Sequence, residues 1–201
     1  MVARNRELER GDAARRALVA AAVDLFADKG FAETATSEIV NRAGLTRAAL
    51  YHHFADKYEL FEAAVSSVES RVRIRVRGAC QQAAGARDDP LAGLLAGAGA
   101  FLDECLEPDV QRLLLRDAPL VLGWQRLDNA LSPLVEILAA AVRGGGLPPQ
   151  PVEPLAQLLH GALVRAGLVL GSARQPALTR DELDAAVRQL LGSLFSGDSS
   201  R

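Results

Sequence analysis

Thr36-Ser37-Glu38-Ile39-Val40-Asn41-Arg42-Ala43-Gly44-Leu45-Thr46-Arg47-Ala48-Ala49-Leu50-Tyr51-His52-His53-Phe54 reads as two short helices on either side of a tight turn. Thr36 is a capping residue before a helix over 37–43, with Ile39, Val40 and Ala43 as its apolar face. Gly44 tolerates the left-handed backbone that closes a helix end. Thr46 then caps a second helix from Arg47 to about Phe54. Leu45 plugs the space between the helices, while Ile39, Val40, Leu50 and Phe54 hold both against a neighbour. The unit is a helix-turn-helix (35–54), which lays its second helix in the DNA major groove and reads base edges with that helix's N-terminal residues.

Outward from this unit, helical spacing persists in both directions. Leu18, Ala21, Ala22, Leu25 and Phe26 form the stripe of a first helix, starting near Asp12 and ending at Gly30. Asp56 with Glu59 opens a longer fourth helix in the manner of a capping box. Asp89-Pro90, Glu107-Pro108 and Trp124 begin three more, with Pro133 marking a kink or break in the last. Gly144 to Pro151 is a linker, followed by two final helices, the second opened by Thr179 and Glu182. The fold class is therefore all-α, with about nine helices. Arg71-Val72-Arg73-Ile74-Arg75-Val76-Arg77 alternates as a half-buried strand would, yet it continues a strong helix and is read as helical. Its arginines serve either as a solvated surface or as phosphate contacts.

Composition narrows the function classes. With 201 residues, 49% hydrophobic and a net charge of −2, the chain is neither disordered nor too small for a core. No apolar run approaches the roughly 18 residues of a membrane span. The polar, mixed-charge start is not a secretory signal, so a cytoplasmic protein is expected. Cys80 and Cys105 read as small buried residues. His52 and His53 point about 100° apart on a helix and cannot chelate together, and His160 is isolated; no metal or cofactor is expected.

At Ala21-Ala22-Val23-Asp24-Leu25-Phe26, Lys29-Gly30-Phe31, Thr36-Ser37-Glu38-Ile39-Val40, Ala43-Gly44-Leu45-Thr46-Arg47, Leu50-Tyr51-His52-His53-Phe54 and Lys57-Tyr58-Glu59-Leu60-Phe61 the chain resembles the tetracycline-repressor (TetR) family of transcriptional regulators. The resemblance implies a DNA-binding head over 12–72 and a body over 73–201 that binds an effector and dimerises. It implies phosphate contacts by Thr36, Tyr51, His53 and Lys57, and base reading by Ser37, Arg47, Ala48 and Ala49. Thr46 and His52 complete the expected DNA-facing set. Residues 1–11 are expected to be a flexible arm, with Arg4, Arg6 and Arg10 either entering a minor groove or forming a plain tail. Over 1–60, nine basic residues balance nine acidic ones, so non-specific DNA affinity should be modest.

The body carries no motif that names a ligand. Phe101, Leu122 and Trp124 are candidates to wall an apolar cavity, and Arg112, Arg116, Asp117, Asn129 and His160 are its candidate polar groups. The effector is expected to be a small, largely apolar organic molecule. Leu158, Leu163, Gly167, Leu170, Leu183, Val187, Leu190 and Leu194 of the last two helices are expected to form a homodimer interface. Two recognition helices would then meet a palindromic double-stranded operator about 34–36 Å apart. Effector binding would lower operator affinity by a coupling free energy of about 1–3 kcal/mol. One alternative is a helical interaction or ligand-binding protein, against which Thr36, Arg47, Tyr51 and Lys57 stand as competent contacts. A helical enzyme is the other. Against it, His160, Asp117, Ser132 and Cys105 lack the context of a nucleophile site, and Gly144-Gly145-Gly146 lacks the lysine of a phosphate loop.

Overall fold

Gly30 divides the first helix. In the computed structural model, α1 (Val2–Glu33) is interrupted there by φ 83°, ψ 172°, a conformation open to glycine alone. The remaining helices are α2 (Thr36–Ala43), α3 (Arg47–His53), α4 (Lys57–Ala84), α5 (Pro90–Glu104), α6 (Val110–Asp117 continued by Ala118–Val121), α7 (Gln125–Arg143), α8 (Val152–Leu170) and α9 (Pro176–Ser196). The structure describes residues 2–85, 89–144, 147 and 151–196, and side chains from residue 11 to 195. Among these there are nine helices and no strand.

The chain forms two units. The first comprises Met1–Val68 with Pro108–Gly123, the second Glu69–Glu107 with Trp124–Arg201. The boundary near 72 thus misses one segment: residues 108–123, read from sequence as body, pack with the N-terminal unit. The segment 1–11, expected as an arm, begins a helix already at Val2. Its arginines, glutamates and leucine are good helix formers, which sequence periodicity alone did not register. Of the linker, 145–146 and 148–150 lie outside the described residues.

In the first unit, Leu18, Phe26, Ile39, Leu50, Phe61 and Leu113 are fully buried. Phe26 meets Phe61 edge to face at 5.1 Å, and Phe31 lies 4.8 Å from the same ring. Such pairs add about 0.5–1.5 kcal/mol beyond area burial. Thr34, buried, donates its hydroxyl to the Gly30 carbonyl at 2.7 Å and so satisfies a helix-end acceptor. The Val110–Asp117 stretch of α6 is wound as a π-helix, its end marked by the Ala118 N–H donating to the Leu113 carbonyl. Pro119 explains this winding, because its ring displaces the carbonyl four residues back and favours wider hydrogen bonds. α6 lies on α1: the Phe31 N–H donates to Asp117 Oδ2 at 2.7 Å, and Arg112 Nη2 donates to the Lys29 carbonyl at 3.0 Å.

The second unit is built around α5, which packs against α7, α8 and α9. A Cβ at Gly97 would collide with the Cys80 sulfur, so the absent side chain lets α4 come close. The alternating arginines are helical and are held by carboxylates. Arg71 and Arg75 each donate Nε to Glu104 at 3.1 Å, and Arg77 grips Glu136 through two bonds of 2.9 and 2.8 Å. Arg73 faces Glu69 at 3.7 Å. Each arginine of the stripe thus has a carboxylate partner within its own unit. α7 runs through Pro133 without a break. Cys80 and Cys105 are both buried and joined in no disulfide, and burial pushes Cys80 up to about 11 and Cys105 higher still. No helix among the described residues is long and apolar enough to cross a membrane.

Candidate nucleic-acid interface and a cleft in the second unit

The turn between α2 and α3 closes by backbone bonding alone. Gly44 takes φ 66°, ψ 30°; its N–H donates to the Asn41 carbonyl at 3.2 Å and the Leu45 N–H to the Val40 carbonyl at 3.0 Å. This is a Schellman closure, which needs the left-handed residue that Gly44 supplies. Thr46 then accepts from the Ala49 N–H at 3.2 Å and starts α3. Leu50 and Phe54 turn inward, 0% and 2% exposed, so α3 must present its other face outward.

That face carries most of the expected residues. Ser37, Thr46, Arg47, Ala48 and His52 are exposed, and Tyr51 is 51% exposed. Thr36, Ala49, His53 and Lys57 are half-buried. Thr36 does not cap α2: it is the first helical residue, preceded by Ala35. Glu38 serves as the capping group instead, accepting from the Ala35 N–H at 3.2 Å while Lys29 Nζ donates to it at 2.5 Å. The Lys29 ammonium, more than the Ala35 N–H, holds the Glu38 carboxyl below its ordinary range. Lys57 donates to the Ala32 carbonyl at 3.1 Å and stands 4.6 Å from the Phe31 ring centre, which fixes the start of α4 against the end of α1. Arg15 lies over the Phe54 ring at 5.1 Å. The side chains of Arg4, Arg6 and Arg10 lie outside those described.

The second unit holds a cleft of about 240 Å³ between α7 and α8. Leu131, Leu134, Val135 and Leu138 line it from α7, Ala156 and Leu159 from α8. Its polar groups are Asp128, Glu153, Gln157 and His160. His160 Nδ1 stands 2.7 Å from Asp128 Oδ1. Burial pulls the imidazole below its ordinary value, against the opposing pull of Asp128.

Of the candidate ligand residues, only His160 lines this cleft. Phe101 is fully buried, because α5 is enclosed by α7, α8 and α9. Trp124 is 61% exposed, following Gly123 at φ 88°. Leu122, Arg112, Arg116 and Asp117 belong to the first unit, where Arg112 and Asp117 hold the end of α1. Asn129 is half-buried on α7, outside the lining. Asp128, Glu153 and Gln157 were missed by sequence reasoning; the only signal was their spacing beside the α7 and α8 stripes.

Of the expected dimer residues, Leu158 and Leu190 are 74% and 60% exposed, while Leu183 and Leu194 are half-buried. Leu163, Gly167, Leu170 and Val187 are buried within a single chain, their area already used by its own core. Exposed small residues accompany Leu158 and Leu190: Gly161 and Ala162 on α8, Ala185 and Ala186 on α9. Among the described residues no group of His, Cys, Asp and Glu is arranged to hold a metal ion.

A family model described as "Tetracyclin repressor-like, C-terminal domain" matches residues 91–194, and one described as "Bacterial regulatory proteins, tetR family" matches residues 18–64. The chain belongs to the TetR family. A crystallised TetR-family transcriptional regulator from Pectobacterium atrosepticum is 28% identical, with a TM-score of 0.75 over 92% of this chain and 96% of that one. The A-factor receptor protein of Streptomyces griseus is 40% identical over 63 residues, 31% of this chain and 23% of that protein. The HTH-type transcriptional activator FasR of Mycolicibacterium smegmatis is 37% identical over 70 residues, 33% of this chain and 32% of that protein. The matches to these two relatives span only about a quarter to a third of their length. The family is one of transcription regulators, not of enzymes.

Proposed function

We propose that the chain is a sequence-specific repressor that binds a palindromic operator as a homodimer and is released by a small, largely apolar organic effector. One observation carries the DNA reading: Arg47, Ala48, Tyr51 and His52 are exposed on one short helix whose opposite face, Leu50 with Phe54 behind it, is buried. Arg47 has the fork geometry for a guanine edge, and Ala48 permits close approach to a thymine methyl. Tyr51, His53 and the half-buried Thr36 supply polar groups for phosphates. The match to a tetracycline-repressor-like C-terminal domain over residues 91–194 supports the repressor mode. The aliphatic cleft of α7 and α8 supports an apolar effector body. Exposed Leu158, Gly161 and Ala162 with Ala186 and Leu190 support a second copy as the partner of α8 and α9.

The test is selection of bound fragments from sheared genomic DNA of the source organism at about 0.15 M salt, where non-specific binding is weak. Wild type should recover one or a few palindromic sites, and the Arg47→Ala/Tyr51→Ala variant should recover none. Equal recovery by both would refute the assignment of α3 as the reading helix.

A further inference from the structure

The cleft of α7 and α8 is chemically one-sided. Asp128 and Glu153 only accept hydrogen bonds, and among the described residues no Arg or Lys lines the cleft. His160 Nδ1 faces the Asp128 carboxylate at 2.7 Å. A neutral imidazole therefore spends its single N–H on Asp128 and keeps Nε2 as a further acceptor. An anionic head group placed here would stand beside two carboxylates with no Arg or Lys of the lining to pair it. A cation would find partners.

The acidic groups also stand apart. Along α8 the lining runs from Glu153 to His160, the residue bonded to Asp128. Seven residues of helix separate these ends by about 10 Å at a rise of 1.5 Å per residue. Between them the walls are mainly aliphatic, Leu131, Leu134 and Leu138 with Ala156 and Leu159, and the neutral amide of Gln157 is the one polar group there among the described residues. The cleft thus has an acceptor at each end and mostly hydrocarbon between. Its volume of about 240 Å³ lies below the ~300 Å³ at which pockets for drug-sized ligands begin, which suits a slender chain.

Resting on the reading of this cleft as the effector site, we propose that it binds a linear aliphatic diamine, with one ammonium at Asp128 and His160 and the other at Glu153. The chain lies along the leucines of α7, and each N–H donates to a carboxylate. Quaternary ammonium groups are disfavoured, since they lack N–H donors and, among the described residues, no Phe, Tyr or Trp face lines the cleft for a cation–π contact.

Calorimetric titration of the full chain with octamethylenediamine, octylamine and octanoate tests this. The diamine should bind at least about tenfold more tightly than octylamine, since each end gains a charge-assisted bond, and octanoate should bind most weakly. Glu153→Gln should reduce the diamine to the level of octylamine while leaving octylamine binding at the Asp128 end. If octylamine or octanoate matches the diamine, the diamine assignment falls and the cleft remains an effector site for another class. If none of the three binds, the diamine assignment falls together with the cleft. Operator binding by the same preparation shows that the α3 reading stands independently.

Discussion

Arg112 lays its guanidinium over Gly30, so the end of α1 and the π-wound part of α6 share one contact. Its Nη2 donates to the Lys29 carbonyl at 3.0 Å, and a Cβ at residue 30 would collide with the same group. Gly30→Ala should therefore be costly twice over. Forcing an L residue to φ 83° costs about 1–3 kcal/mol in backbone strain, and the collision adds to it. At roughly 2–4 °C per kcal/mol for a chain of this size, the melting temperature should fall by about 3–10 °C. In an Arg112→Ala background, which has already lost the bond to Lys29, Gly30→Ala should cost only the part due to strain; thermal unfolding of the two single variants and the double separates the two.

Arg47→Ala should weaken operator binding by about 1–3 kcal/mol and relax preference at one base position, with the folded state unchanged. Tyr51→Phe keeps the ring and removes the hydroxyl. If Tyr51 meets a phosphate through its hydroxyl, Tyr51→Phe should lose affinity almost as far as Tyr51→Ala does, evenly across sequences. Gel-shift titration on matched and mismatched operators reads both effects.

Thr46 offers a smaller, purely structural effect. Its hydroxyl accepts from the Ala49 N–H at 3.2 Å, and Thr46→Ala leaves that donor to water. The expected loss is about 1 kcal/mol, seen as a shift in denaturant midpoint with an unchanged slope.

The readability of these features followed how locally they are determined. Gly44, Leu45 and Thr46 close their turn with partners no more than five residues away, so residue type and spacing sufficed. Thr36 misled because Glu38, bonded to Lys29 nine residues earlier, took over the capping of α2. Arg112 was assigned to a ligand because nothing within its own helix reveals a partner 83 residues away. Phe101 and Trp124, both candidates to wall a cavity, parted for a similar reason, one buried and one exposed: burial is set by which helices enclose α5, and aromatic character alone does not report it. The cleft was legible only through His160, since its carboxylates look like ordinary surface residues in sequence.

His160 gives the chain a pH dependence with a definite sign. Burial, the dominant influence, holds the folded imidazole below its ordinary 6.5, while Asp128 opposes it. The unfolded chain therefore takes up a proton more readily, and stability is lost as pH falls from 6.5 toward the lower folded value; above 6.5 it is fully present. Asp128 on α7 and Glu153 on α8 are the charged groups lining the cleft with it. The melting-temperature advantage of wild type over His160→Gln should shrink between about pH 7.5 and about pH 5.5. An advantage that grows on acidification would reverse the sign assigned here.

Leu158→Glu combined with Leu190→Glu places charge on the exposed faces of α8 and α9. The double variant should sediment at the single-chain mass of 21.3 kDa, where wild type sediments at twice that. Leu163→Glu, by contrast, should unfold the chain, because that side chain is fully buried within it.

Glu104 has a mechanical meaning for the second unit. Only 7% exposed, its carboxylate receives Arg71 and Arg75 from successive turns of α4. Sliding α5 along α4 by one turn, about 5.4 Å, would strip at least one of those donors from a buried charge, a loss measured in kilocalories. The two arginines thus work as a ratchet pawl set against axial travel. Axial travel of α5 is therefore the motion this carboxylate opposes most directly.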